Sequence, residues 1–276
     1  MLYTNYVFQS PGAIALTFGP LTIHWYGVII GVGILLCYGY IMLELKRRHM
    51  DSKPVDDMAF WLILSGVLGA RLYYVIFNFS YFWAHPAEIL QIWKGGLAIH
   101  GALIGGVLAY SIFVWRKKIR WLLFADIMMP GILLAQALGR WGNFFNSEAF
   151  GRPTNLPWKL FIPEENRPEQ YLDFSYFHPT FLYESLWNLL GFLFLVFLTR
   201  KLHPRPSILN PQPSGIIFFA YLLWYSFGRF FIEGIRTDSL YLGPLRAAQV
   251  MSFALFFGGL FGLIFLRKRT TIKSPK

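Results

Sequence analysis

Seven apolar runs of about 20 residues divide the chain, near 20–44, 57–78, 96–115, 121–140, 179–199, 215–235 and 245–266. A helix of about 20 residues spans the ~30 Å hydrocarbon core of a bilayer, so each run predicts a membrane crossing. The expected fold is an all-α integral membrane protein with about seven transmembrane helices, a single polytopic membrane domain over residues 1–276. Between the fourth and fifth runs lies a longer polar stretch, about 141–178, rich in Pro, Asn, Glu and Gly, which predicts a small extracytoplasmic head segment. The first twenty residues lack a basic n-region and carry Pro11, Gly12 and Pro20, so no cleaved signal peptide is expected.

Polar residues interrupt the runs mostly at one end. His24 and Tyr26 open the first run, and Arg71 lies about two thirds of the way along the second. His100 stands about a turn and a half into the third, or ~9 Å at the helical rise. Arg140 ends the fourth, with Asn143, Asn146 and Glu148 just beyond it. His178, Tyr183 and Glu184 open the fifth, and Arg229 and Glu233 close the sixth. Ionisable side chains in a bilayer cost several kcal/mol and generally face a polar cavity or one another. Their shared depth predicts a polar chamber opening at that end, while the opposite halves hold little beyond Asp126.

Charge decides which end is which. Hydrophobic residues make up 55% of the chain and charged ones 14%, against roughly 25% charged in an average soluble domain, so lipid must replace water over much of the surface. The net charge of +11 is gathered in alternate gaps. Lys46, Arg47, Arg48 and Lys53 follow the first run, and Arg116, Lys117, Lys118 and Arg120 the third. Arg200, Lys201 and Arg205 follow the fifth, and Arg267, Lys268, Arg269, Lys273 and Lys276 the last. By the positive-inside rule these gaps face the cytoplasm, which puts the N-terminus outside, the C-terminus inside and the polar chamber toward the outer leaflet. A basic surface for nucleic acid is therefore not expected. One cysteine, Cys37, excludes a disulfide framework and a multi-cysteine metal site.

Each polar position also has a purely structural explanation. Arg71 could snorkel to headgroups, Arg229 and Glu233 are spaced as a helix-face ion pair, and His100 could hydrogen-bond a neighbouring helix. Tyr26 beside Trp25 could be an interfacial aromatic, and Cys37 reads as packing. Several helices contributing polar groups at one depth favour a site. Several arginines with one histidine, and no metal-ligand spacing, suit a phosphate-bearing ligand better than a metal.

Four motifs sharpen this reading. Gly95-Gly96-Leu97-Ala98-Ile99-His100-Gly101 starts the third run, and Gly139-Arg140-Trp141-Gly142-Asn143-Phe144-Phe145-Asn146-Ser147-Glu148 ends the fourth. His178-Pro179-Thr180-Phe181-Leu182-Tyr183-Glu184 opens the fifth, and Gly228-Arg229-Phe230-Phe231-Ile232-Glu233-Gly234-Ile235-Arg236 closes the sixth. In this order they resemble the phosphatidylglycerol–prolipoprotein diacylglyceryl transferases of bacteria, over essentially the whole chain. Two departures are Ala102, where a second glycine is frequent, and a short head segment.

The resemblance implies an enzyme of the bacterial plasma (inner) membrane. It would move the diacylglyceryl group of phosphatidylglycerol onto the lipobox cysteine thiol of a preprolipoprotein, forming a thioether and releasing glycerol 1-phosphate, the first step of lipoprotein maturation. It implies catalytic roles for His100, Arg140 and Arg229, with His100 as candidate base. It also implies a phosphatidylglycerol site of Arg140, Arg229, Asn143, Glu148, Tyr26, Gly151, Glu233 and Arg236. The glycines at 139, 142 and 151 would let backbone approach a headgroup or permit loop movement. No cofactor or metal is expected, and the partners are membrane lipid and the lipobox segment. A transporter or flippase would need polar groups on the inner half as well, and a seven-helix receptor would not need a buried arginine cluster.

Overall fold

The structure, a computed structural model, describes residues 8–19, 21–202 and 214–272. Within these residues are seven helices long and apolar enough to cross a membrane. They are α1 (Trp25–Arg47), α2 (Lys53–Phe77), α4 (Ile99–Arg116), α5 (Trp121–Phe145), α6 (Thr180–Leu202), α7 (Ile216–Glu233) and α8 (Ala247–Ile272). A short α3 (Phe79–Ala84) follows α2. The described residues also form three two-stranded antiparallel ladders, β1 (Ile14–Phe18) with β2 (Leu21–His24), β3 (Leu160–Phe161) with β4 (Tyr176–Phe177), and β5 (Tyr241–Leu242) with β6 (Leu245–Arg246), and four short 3-10 turns.

Two boundaries differ from the sequence pattern. The first run predicts helix from residue 20, but Leu21–His24 pair with Ile14–Phe18 as a hairpin, and α1 begins at Trp25. Trp25 N–H donates to the Ala13 carbonyl at 2.9 Å, so the hairpin's bonding continues to the first helical residue and His24 lies outside the helix. The fourth run predicts an end at residue 140, but α5 continues through Arg140, Trp141, Gly142 and Asn143 to Phe145. The polar connection after it is held by its own apolar core of Phe144, Phe150, Leu160, Ile162, Phe177 and Phe181, all buried. Through Phe144 and Phe181, this core joins the connection to the ends of α5 and α6.

The chain divides into two compact units, Met1–Glu44 with Ala125–Lys276, and Leu45–Phe124. In the second unit, α2 and α4 approach backbone to backbone. A Cβ on Gly69 would overlap the Gly101 carbonyl, and one on Gly105 would overlap the Ser65 carbonyl, so small residues are what permit this packing. Arg71 braces the segment leading into α4. Its guanidinium donates to the carbonyls of Glu88 (2.6 Å), Ile89 (2.8 Å), Gly95 (2.9 Å) and Gly96 (3.0 Å). Arg71 therefore does not snorkel to headgroups as its structural explanation expected, but is spent on backbone carbonyls.

In the first unit, Leu133, Leu195 and Ile217 of α5, α6 and α7 form a fully buried apolar core. The N-terminus of α7 starts at Gly215, whose φ of 108° favours glycine and which has no side chain to cap with. Asp126 of α5 serves instead: its carboxylate accepts the Gly215 N–H at 2.6 Å and the Phe218 N–H at 2.8 Å. The sequence pattern leaves little polarity beyond Asp126 at the basic-flanked ends of the helices. The structure corrects this, since Glu44 and Thr199, near the basic-flanked ends of α1 and α6, are each 1% exposed.

Candidate active site

A line of alternating charges runs across α5, α6, α7 and the exit of α7. Glu184, in the first turns of α6, is nearly dry, with 3% of its side chain exposed. Its Oε1 lies 2.9 Å from Arg140 Nη2 and its Oε2 accepts from Arg229 Nη1 at 2.8 Å, so one carboxylate bridges two guanidiniums from two other helices. Arg229 Nη2 donates to Glu233 Oε2 at 2.6 Å, one turn further along α7. Arg236 lies 3.9 Å from the same oxygen and makes a two-pronged pair with Asp238 at 2.9 and 2.6 Å. The three arginines thus face Glu184, Glu233 and Asp238.

Buried ions are tolerated only when paired, and this network satisfies that requirement without a ligand. Each guanidinium has five N–H donors in a planar fork, and its carboxylate partners occupy only part of that fork. The arrangement can therefore present further donors to a tetrahedral oxyanion while the carboxylates hold the arginines in place.

The residues after Arg140 fold back on it. Asn143 Nδ2 donates to Glu148 Oε1 at 2.8 Å, and Arg140 Nη1 points at Asn143 Oδ1 across a longer 3.4 Å. Glu148 N–H returns to the Asn143 carbonyl at 3.0 Å through a turn in which Ser147 and Ala149 adopt left-handed φ of 52° and 56°. Tyr26 of α1 lays its ring against Gly142, where a Cβ would come within 2.7 Å of the ring. Gly151 is equally confined: a Cβ there would meet His178 at 2.8 Å, Thr180 at 3.0 Å and the Ile235 carbonyl at 3.1 Å. It forms a β-bridge with Arg236 and donates its N–H to the His178 carbonyl at 2.9 Å. Gly142 and Gly151 are therefore positions where the backbone is closely approached by its neighbours.

Further polar contacts flank this network. Tyr183 hydroxyl accepts from Trp158 Nε1 at 2.9 Å and lies 3.2 Å from His178 Nδ1. Partial burial holds the His178 imidazole below its ordinary pKa. Burial works against the Asp238 charge, but the Arg236 guanidinium more than offsets it and holds that carboxyl below its ordinary value. Arg246 of β6 donates to the backbone carbonyl of Glu233, to that of Arg236 at 3.2 Å and to Ser239 Oγ at 3.2 Å, closing the loop that carries Arg236.

The structure thus brings together Arg140, Arg229, Glu233 and Arg236, with Asn143 beside Arg140, Glu148 bonded to Asn143, and Tyr26 and Gly151 packed at the flanks. His100 belongs to the other unit, exposed in the first turn of α4 with its ring 5.9 Å from that of Tyr73. The sequence reading places Glu184 at the opening of the fifth run but assigns no site role to Glu184, Asp238 or Arg246. For Glu184 the signal was present, since a carboxylate inside an apolar run demands a cation. Arg246 offered none, because its acceptors are two backbone carbonyls and a serine hydroxyl. Among the described residues no three His, Cys, Asp or Glu side chains gather as a metal site.

Comparison with known proteins gives a consistent match. The prolipoprotein diacylglyceryl transferase family model matches residues 13–265. The phosphatidylglycerol–prolipoprotein diacylglyceryl transferase of Trichormus variabilis is 48% identical over 277 residues, 98% of this chain and 97% of that protein. That of a Nostoc species is 49% identical over 267 residues, covering 96% and 93%. That of Synechococcus elongatus is 48% identical over 260 residues, covering 94% and 89%.

Proposed function

The chain belongs to the prolipoprotein diacylglyceryl transferase family, and we propose that it works through the arginine–carboxylate network of α5, α6 and α7. It is a multi-pass bacterial membrane transferase that moves the diacylglyceryl group of phosphatidylglycerol to prolipoprotein, the first step of lipoprotein maturation. In our reading the acceptor is the lipobox cysteine thiol. Its proton passes to His100 as general base, and sulfur attacks the glyceryl carbon that carries the phosphate ester. The carbon–oxygen bond breaks, a thioether forms, and glycerol 1-phosphate leaves with the electron pair.

A free thiol has a pKa near 8.5, so a base raises its thiolate fraction at neutral pH. The departing group gathers negative charge on phosphate oxygens, which is what fixed guanidinium donors stabilise. Arg140 and Arg229 are assigned to those oxygens, with Arg236, Glu233, Asn143, Glu148, Tyr26 and Gly151 shaping the headgroup site. The observation that carries this reading is the Glu184 carboxylate, which holds Arg140 and Arg229 side by side at 2.9 and 2.8 Å. The same reading takes residues 1–276 as one polytopic domain with the head segment and this site on the outer-leaflet side. The N-terminus is outside and the C-terminus cytoplasmic.

The test is incubation of the purified protein with phosphatidylglycerol and a lipobox peptide, followed by peptide mass. A mass gain of one diacylglyceryl group on cysteine is expected. Arg140→Ala and Arg229→Ala should each lower the rate by about 10²–10³-fold, the usual loss for one oxyanion-stabilising donor, while the protein still inserts. Unmodified peptide with wild-type protein overturns the activity, and normal turnover in both variants overturns the assignment of the arginines.

A further inference from the structure

Between the site and the apolar core, α6 and α7 are joined by a reciprocal contact that the chemistry above does not use. Trp187 of α6 and Trp224 of α7 stack with ring centroids 4.6 Å apart and planes 20° from parallel. Trp187 Nε1–H donates to the Trp224 carbonyl at 2.9 Å, and Trp224 Nε1–H donates to the Trp187 carbonyl at 3.0 Å. Each tryptophan stands four residues before a glycine, Gly191 and Gly228, and a Cβ on either glycine would overlap the opposing indole.

The spacing has a physical reason. A helical side chain leans over the turn N-terminal to its own Cα, so the residue at i+4 shields the carbonyl at i. Glycine at i+4 leaves that carbonyl open, and a carbonyl already bonded within its helix retains a second lone pair. A Trp-x-x-x-Gly segment therefore offers an indole and an uncovered acceptor together. Two such segments on neighbouring helices satisfy each other, and satisfaction matters because an indole N–H among apolar helices has no water to turn to.

We propose that Trp187, Trp224, Gly191 and Gly228 form a positioning device that fixes the axial register of α6 against α7 and thereby holds Glu184 on Arg229. The inference rests on the reading of that ion pair as part of the transfer site. Glu184 lies one turn before Trp187, and Arg229 directly follows Gly228. A slip of one residue displaces a helix by about 1.5 Å and rotates its side chains by about 100°, enough to part a 2.8 Å contact. Two hydrogen bonds running in opposite directions resist a slip either way. The ion pair alone resists small displacements poorly, because its two flexible side chains can stay in contact while their geometry degrades.

Trp187→Phe and Trp224→Phe keep an aromatic ring and remove the N–H. Each is expected to lower kcat for transfer to a lipobox peptide by about 10–100-fold, the order that a ~1 Å misplacement costs. The lipid KM should change little, since Arg140 still meets the phosphate. The paired-indole band in the circular dichroism difference spectrum should vanish in both. Gly228→Ala should produce a deeper loss than Trp187→Phe, because its methyl overlaps the Trp187 indole as well as displacing its N–H, and adding Trp187→Phe should restore the rate to the level of Trp187→Phe alone by making room. Wild-type kcat in a variant that has lost the paired-indole band overturns the proposal. So does a Gly228→Ala defect that Trp187→Phe leaves untouched. If Gly228→Ala does not fold, the two single Phe variants decide alone. No transfer by the wild-type protein would instead sink the functional reading, with the paired-indole band still reporting the helix contact.

Discussion

Glu184 is a carboxylate between two guanidiniums, and its position changes what the arginines can do. Unpaired, Arg140 and Arg229 would repel each other and drift toward headgroups or water. Bridged, they are held in place before any ligand arrives, which is the preorganisation that makes electrostatic stabilisation effective. Arg140, Arg229, Glu233 and Arg236 were legible as a group because each interrupts or borders an apolar run. The bridging by Glu184 was not, because it depends on how three helices meet. His100 carries the prediction that belongs at this scale. If it takes the thiol proton, His100→Gln should slow transfer by about 10²–10⁴-fold at neutral pH. The defect should shrink as pH rises toward ~8.5, where the substrate thiol ionises unaided. The pH–rate profile of the variant against wild type measures this, and a defect equally deep at both ends would make His100 a positioning group.

At the scale of elements, α7 is held at both ends by side chains from elsewhere in the chain. Asp126 accepts two N–H groups at its start, and Arg246 takes the Glu233 carbonyl at its finish, each with the charge that complements the helix dipole. Asp126→Ala should therefore leave the Gly215 and Phe218 N–H groups buried without their acceptor. The expected cost is about 1–3 kcal/mol, read as a lower unfolding midpoint in detergent, and Asp126→Asn, which keeps an acceptor, should lose less. A midpoint equal to wild type for Asp126→Ala would show that the cap contributes nothing. The seven helices themselves were legible, because runs of about 20 apolar residues have few other solutions. Their ends were less so. Leu-Thr-Ile-His at 21–24 is apolar enough to extend the first run, yet it pairs as a strand because Ile14–Phe18 lie within reach across the turn at Gly19. Past Arg140 the glycine and asparagines resemble a loop, yet Phe144 and Phe145 draw the helix onward by packing, Phe144 into the core of the connection and Phe145 against Trp25.

At the scale of the whole molecule, the question is which way the seven helices cross. Polarity of the helix interiors alone does not decide it, since Glu44, Asp126 and Thr199 lie buried at the ends opposite the arginine network. Asp126 is consumed by the α7 cap, which shows how a buried carboxylate can serve the fold alone. Flanking charge is the stronger argument: 16 of the 25 Lys and Arg residues follow the first, third, fifth and seventh apolar runs. Short basic flanks resist translocation, and acidic residues contribute little to the choice. A reporter fused after Asn166, in the connection between α5 and α6, should therefore read as extracytoplasmic, and one fused after Arg269 as cytoplasmic. The network of Arg140, Glu184 and Arg229 sits at the α5–α6 end of its helices, so the first reporter also assigns its leaflet. A cytoplasmic signal at Asn166 would put the arginines on the inner leaflet. The lipobox thiol would then have to be modified before its segment crosses, and the outer-leaflet reading of the site would fall with the topology.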